Sequence, residues 1–164
     1  MQSIKKKKCV FAGTFDPPTL GHKQIVKDCL QIFDEVVVAI MINPKKTPYF
    51  TLSQRKEMLA LDFGGEARVR VVEFDGTVAE LLKKEKTKIY VRGIRNGVDL
   101  DFENANFYAS QKLDPDLTAV YLPCPQALLH VSSSMVRSSL QFGTPINEYV
   151  SEAVGRYIMR IDQR

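Results

Sequence analysis

The segment Lys8-Cys9-Val10-Phe11-Ala12-Gly13-Thr14-Phe15-Asp16-Pro17-Pro18-Thr19-Leu20-Gly21-His22 decides how this chain folds. Its opening apolar run, Lys8 to Ala12, reads as a strand. From Gly21 to Phe33 the spacing of Ile25, Cys29, Leu30 and Phe33 puts apolar side chains on one face of a helix. The two are joined by a turn holding Gly13, Pro17, Pro18 and Gly21, with His22 in the first turn of the helix. A helix that starts this way offers unpaired N–H groups and the positive end of its dipole, which together attract anions.

Working outward, the period keeps switching between strand and helix. Glu35 to Ile42 is almost wholly apolar, as a parallel strand covered on both faces must be. Thr51 to Phe63 follows as a helix whose cap is visible in Thr51 and Gln54. Arg68 to Phe74 is a third strand. Thr77 with Glu80 opens a helix to about Lys86, and Lys88 to Val91 is a fourth strand. A helix from about Val98 to Leu113 stops near Asp114-Pro115, Thr118 to Leu122 is the fifth strand, and Pro145 separates two helices of the C-terminal region. This order predicts a single-domain α/β fold over residues 1–164, a Rossmann-like five-stranded parallel sheet with helices on both faces.

Composition bounds the function without naming it. A chain of 164 residues buries roughly 70% of its unfolded surface in one core. Its 45% hydrophobic and 26% charged residues exclude disordered and collagen-like classes. Cys9, Cys29 and Cys124 are odd in number and widely spaced, with no metal-ligand spacing to the two histidines, which fits a reducing cytoplasmic location. The run Lys5 to Lys8 resembles the start of a signal peptide, but the apolar stretch behind it ends at Gly13, and no other segment is long enough to span a membrane. Much of the net charge of +4 sits in that lysine run without interleaved aromatics, so small anionic substrates account for it better than nucleic acid does.

In a doubly wound sheet the ligand lies outside the carboxyl ends of the strands. Those ends carry Gly13 to Pro17, Asn43-Pro44-Lys45-Lys46, Asp75-Gly76-Thr77, Arg92-Gly93-Ile94-Arg95 and Pro123 to Ser134. Gly13 and Gly21 would let a phosphate or base approach the backbone. His22 either donates to such a ligand or merely caps the helix. Lys45 and Lys46 are either anion ligands or a solvated pair. Arg92 and Arg95, directly beyond a buried strand, require an anion or the acids Asp99, Asp101 and Glu103, with Arg95–Glu103 the expected internal pair. Ser132, Ser133 and Ser134 open a helix backed by Met135, Val136 and Leu140, and a helix end of this kind can cap itself and offer donors to phosphate. No serine lies in a G-x-S-x-G elbow, which argues against a nucleophilic serine.

The run from Gly13 to His22, G-T-F-D-P-x-T-x-G-H with one further proline, resembles the first signature of the nucleotidyltransferase superfamily. Asn43-Pro44-Lys45-Lys46 with Phe50-Thr51-Leu52, then Arg92-Gly93-Ile94-Arg95 with Asp99 and Glu103, then Val131 to Arg137 narrow the resemblance to the phosphopantetheine adenylyltransferase family over about residues 8 to 140. Ala12 and Leu20 stand where that family usually has proline and asparagine. Leu128-Leu129-His130 lacks the aromatic residues often found before the serines.

The resemblance implies an enzyme joining the AMP part of ATP to 4'-phosphopantetheine, with dephospho-coenzyme A and pyrophosphate as products. It implies that Thr14 and Phe15 contact both ligands, that His22 holds the ATP phosphates, and that Lys46 and Arg92 receive the acceptor phosphate. Thr77 and Val78 would line the pantetheine arm. Gly93, Ile94, Arg95 and Glu103 would bind ATP, and Leu128, Leu129, His130, Val131, Ser132, Ser133 and Ser134 would close over it. His22, Lys46 and Arg95 would be the catalytic set. Mg²⁺ is expected between the phosphates, held by nucleotide and water and by no dedicated protein ligands. A homohexamer and inhibition by coenzyme A are implied as well.

Overall fold

Five strands hydrogen-bond in parallel in the order β3-β2-β1-β4-β5: β1 Lys8–Gly13, β2 Glu35–Ile42, β3 Val69–Asp75, β4 Ile89–Ile94 and β5 Thr118–Pro123. These come from a computed structural model that describes residues 6–162, so Lys5 of the lysine run lies outside the described residues. Helices alternate with the strands: α1 Leu20–Cys29, α2 Leu52–Phe63, α3 Val78–Glu85 and α4 Gly97–Gln111, followed by a short 3-10 turn at Gln126–Leu128, α5 Ser133–Phe142 and α6 Glu152–Asp162. The expected five-stranded parallel architecture is therefore present. The strand order reverses between β1 and β4, which puts the crevice of a doubly wound fold beside the chain following Gly13.

Side-chain alternation along β1 and β2 separates two apolar layers. Cys9, Phe11, Val36, Val38 and Ile40 pack with Ile25, Val26 and Cys29 of α1 and with Leu59 and Phe63 of α2 on one face. Val10, Ala12, Val37 and Ala39 pack with Ala79, Leu81 and Leu82 of α3 on the other. One core was the expectation from chain length, and the structure corrects it. A third cluster joins Met58 of α2 to Val136 of α5 and to Val154, Tyr157 and Ile158 of α6, because the C-terminal helices bury their apolar stripes against α2 beside the sheet.

Capping boxes start α1, α2 and α3, each built by a threonine three residues before its partner: Thr19 with His22, Thr51 with Gln54, and Thr77 with Glu80. Most boundaries fall within about two residues of expectation, and two differ by more. Helix α1 ends at Cys29 and not at Phe33, since Gln31, Ile32 and Phe33 turn back with their N–H groups on the carbonyls of Asp28 and Cys29, bringing the chain to β2. Strand β4 runs to Ile94, so Arg92, Gly93 and Ile94 belong to the strand and do not follow it. Their pairing with Tyr121, Leu122 and Pro123 of β5 extends the ladder past the apolar run.

Glycine is required at position 93 for a packing reason. A Cβ there would lie 2.9 Å from both Cγ1 and Cδ1 of Ile25, the residue through which α1 packs on the sheet. Gly93→Ala is expected to destabilise the fold by about 1–3 kcal/mol through this overpacking, measured as a lowered midpoint in urea or thermal unfolding.

Candidate active site

The loop after β1 is held in an unusual shape by groups far away in sequence. Phe15 has φ 50°, in the left-handed region that a non-glycine residue enters at a cost, and its ring is only 2% exposed. The neighbouring carbonyls are all taken. Arg55 Nη1 of α2 donates to Thr14 O at 2.9 Å, Arg137 Nη1 of α5 donates to Asp16 O at 2.7 Å, and Ser133 Oγ donates to Pro17 O at 2.7 Å. The buried Asp16 carboxylate accepts from the Tyr49 and Phe50 N–H groups, both at 2.8 Å, tying the loop after β1 to the segment that leads into α2. Gly13 is confined by this arrangement, since a Cβ on it would meet the Phe15 ring at 3.2 Å. Its small size serves that packing, and Gly13 also lines the cavity around His22.

His22 is oriented by the helix it begins. Its Nδ1 accepts from the Thr19 N–H at 3.0 Å, a backbone donor that cannot become an acceptor, so the ring proton resides on Nε2. The Phe15 ring meets the imidazole edge-on, 4.9 Å between centroids. Burial, then the charges of Arg92 and Arg95, depress the His22 pKa from 6.5 to about 4. The cap and the donor are one side chain: Nδ1 completes the box and the neutral Nε2–H remains to donate. His22 is thus neutral in the fold but protonates near pH 6.5 when unfolded. Unfolded chains bind the extra proton between about pH 6.5 and 4, so this contribution to stability is complete above pH 6.5 and declines as pH falls toward 4. The melting temperature of the wild type should fall across that window more steeply than that of His22→Gln, which has no titrating ring.

Around this histidine lies a cavity of about 870 Å³ at the carboxyl ends of the strands. It collects Thr14, Phe15, His22, Lys46, Arg92, Gly93, Arg95, Glu103 and Val131 to Ser134 from the predicted set. Thr77 and Val78 line a second cavity, about 700 Å³, which shares Asn43, Pro44, Arg92 and Glu103 with the first. Ile94, Leu128, Leu129 and His130 are not among the residues lining either cavity. His130 is exposed and faces the Tyr149 ring, 6.0 Å away between centroids.

The charges at the wall pair differently from expectation. Arg95 is bonded to Asp99 of α4, Nε at 2.9 Å and Nη2 at 3.2 Å, and this pairing holds the Asp99 carboxyl below the usual range. Glu103 goes to Arg92 Nη2 at 2.5 Å, while Arg92 Nη1 donates to Ala12 O. The anticipated Arg95–Glu103 pair does not form because Arg95 lies beyond the end of β4, beside the first turn of α4, while Arg92 lies within β4 and faces Glu103 one turn farther along. Both Glu103 Oε2 and Arg92 Nε are buried without a partner among the described residues, so this pair retains unused polar capacity on the wall that both cavities share. Lys46, on the exposed loop after β2, enters the first cavity's wall, and Lys45 does not.

At α5 both readings of the serines coexist. Ser132 caps the helix by accepting from the Met135 N–H at 3.1 Å. Ser133 spends its hydroxyl hydrogen on Pro17, and its backbone N–H, with that of Ser134, falls in the first turn of α5, where N–H groups have no acceptor within the helix. Sequence reasoning missed Arg55 and gave Arg137 no role. A cation at position 55 falls between Leu52 and Leu59 on the buried face of α2, which was the available signal.

Comparison with known proteins agrees with this geometry. Residues 10–139 match the cytidylyltransferase-like family. The phosphopantetheine adenylyltransferase of Flavobacterium johnsoniae is 37% identical over 148 residues, covering 90% of this chain and 97% of its own. That of Thermotoga neapolitana is 37% identical over 147 residues, covering 90% and 91%. The nicotinic acid mononucleotide adenylyltransferase of Plasmodium falciparum, solved with NaAD, superposes with a TM-score of 0.69 over 96% of each chain at 18% identity, a likeness of fold.

Proposed function

The chain belongs to the phosphopantetheine adenylyltransferase family, and on that premise we propose that it transfers the AMP part of ATP to 4'-phosphopantetheine, releasing dephospho-coenzyme A and pyrophosphate. The observation that carries this reading is the pair of joined cavities. One is lined by His22, Arg95 and the α5 terminus, the other by Thr77 and Val78, with Arg92 and Glu103 on the wall they share.

In the reaction an oxygen of the acceptor phosphate forms a bond to the α-phosphorus of ATP as the bond from that phosphorus to the β-bridging oxygen breaks, and pyrophosphate leaves with the electron pair. The acceptor is a phosphate monoester, already ionised at neutral pH, so no protein nucleophile or base is needed. Catalysis then rests on alignment and charge stabilisation. Lys46 and Arg92 align the acceptor, with Thr14 between the two ligands. The neutral His22 Nε2–H, Arg95 and the N–H groups of Ser133 and Ser134 receive charge developing on the triphosphate. Gly93, Glu103, Val131 and Ser132 shape the nucleotide side. Thr77 and Val78 flank the pantetheine arm.

The acids at the cavity wall, Asp99 and Glu103, are spent on Arg95 and Arg92, and among the described residues no three metal-ligating side chains cluster. This donor set fits Mg²⁺ carried in by the phosphates, where it would neutralise charge on their oxygens. Val98 and Phe102 leave an apolar stripe exposed on α4, which favours self-association; the homohexamer is the assembly that membership of the family implies. Coenzyme A, which shares the product's pantetheine arm, is the expected inhibitor. Three free thiols support a cytoplasmic setting, and among the described residues no helix is long and apolar enough to cross a membrane.

The test is pyrophosphate release with ATP and each candidate acceptor supplied separately. Release only with ATP and phosphopantetheine together supports the assignment. Release with nicotinate mononucleotide instead would replace it, and tight ATP binding without release would indicate a sensor.

A further inference from the structure

Arg55 is a cation buried to 5% exposure in a wall of the nucleotide cavity, and internal pairing does not explain why it is there. Its Nε has no hydrogen-bond partner among the described residues. Asp16 is the carboxylate whose field reaches it, yet both oxygens of Asp16 are occupied by the Tyr49 and Phe50 N–H groups. Among the described residues its directed contact is Nη1 to the carbonyl of Thr14, 41 positions away, at 2.9 Å.

That contact bears on the strained residue of the loop. Thr14 C=O and Phe15 N–H belong to one planar trans peptide and point in opposite directions. Rotating this peptide by half a turn changes ψ of Thr14 and φ of Phe15 together, and would carry Phe15 from φ 50° out of the left-handed region. The relaxed loop would point the same N–H the other way. Backbone preference therefore favours the flip, and a charged donor holding the carbonyl opposes it.

We infer that Arg55 is a positioning residue that holds the Thr14–Phe15 peptide in its strained orientation, keeping the Phe15 N–H turned away from α2 as a donor for the bound nucleotide. The inference rests on the adenylyltransferase reading for its activity readout and on ATP binding alone for its independent one. Arg55 does not touch substrate in this scheme. It acts through the peptide, and stability is given up locally for a preorganised donor.

Three proteins test it: wild type, Arg55→Met and Arg55→Lys, each measured for ATP affinity by calorimetry without acceptor, for kcat and KM, and for melting temperature. Removing the cation leaves the buried Asp16 carboxylate without the opposite charge beside it and the Thr14 carbonyl without its donor, which costs stability. Arg55→Met is therefore expected to melt below the wild type and, at a temperature where it stays folded, to bind ATP about tenfold more weakly and lose about tenfold in kcat. Arg55→Lys, which keeps a cationic donor, should recover most of both losses. Wild-type affinity and turnover in a folded Arg55→Met would overturn the inference, as would a tenfold loss in Arg55→Lys at an unchanged melting temperature. Should Arg55→Met fail to fold, Arg55→Lys and Arg55→Gln decide in the same terms, the first retaining ATP affinity and the second losing it. A wild type that binds ATP but releases no pyrophosphate with phosphopantetheine would sink the acceptor assignment and leave Arg55 to be judged on the titration.

Discussion

His22→Ala is expected to lower kcat by roughly 10²-fold, with a much smaller change in KM for ATP. The reason is that Nε2–H is a fixed neutral donor: its tautomer is set by the Thr19 N–H on Nδ1 and its protonation suppressed by burial, Arg92 and Arg95. Such a donor gains most where charge develops on the phosphates in the transition state. Alanine also removes half of a capping box, costing about 1 kcal/mol of stability and confusing the result. His22→Gln separates the two, because glutamine at this position rebuilds the box with Thr19 but lacks the imidazole donor. It should keep the wild-type melting temperature at neutral pH and still lose roughly 10²-fold in kcat. Near-normal turnover in either folded variant would make His22 a cap and nothing more, and a loss confined to KM would make it a ground-state binder.

For the acceptor side, Lys46→Ala should lower kcat/KM for phosphopantetheine by about 10²-fold at saturating ATP while ATP affinity, titrated directly, barely moves. Lys46 sits on an exposed loop, so its removal carries little folding cost. Arg92→Ala should cost as much in activity, but it also strands Glu103, which is 5% exposed, without its cation, a penalty of about 3 kcal/mol in stability. Arg92→Ala combined with Glu103→Gln removes that buried charge and isolates the functional loss. Because the phosphate supplies the attacking oxygen, dephosphorylated pantetheine should not be an acceptor for the wild type or the variants. Because two cations converge on that phosphate, pantetheine should also bind the wild type more weakly than phosphopantetheine does, and this binding gap should narrow in the variants. Wild-type kcat/KM for phosphopantetheine in both Lys46→Ala and the double variant would show that the acceptor phosphate binds elsewhere along the strand ends.

What could be read in the sequence about these residues was local. The strand from Glu35 to Ile42 and the boxes at Thr51–Gln54 and Thr77–Glu80 involve neighbours within a few positions, so periodicity and capping chemistry reveal them directly. The parallel sheet follows from their alternation, and with it the rule that the site lies at the carboxyl ends, whose segments include Thr14, Lys46 and Arg92; the roles of these residues came from the resemblance, and the structure gathers them with His22 around one cavity. The motif match added the family to which those ends belong.

Tertiary structure decided the partners. Arg95 had Asp99, Asp101 and Glu103 within reach of its helix, and only the extension of β4 through Ile94 separates an Arg95–Asp99 pair from an Arg92–Glu103 pair. The shape of the Gly13–Pro17 loop depends on Arg55, Ser133 and Arg137, which reach it across 41, 116 and 121 positions. No periodicity encodes such contacts, because a hydrogen bond to a carbonyl places no demand on the identity of the residue that supplies it. The sequence therefore determined which chemical groups gather at the strand ends, while folding alone determined which of them are spent on the protein and which remain for a ligand.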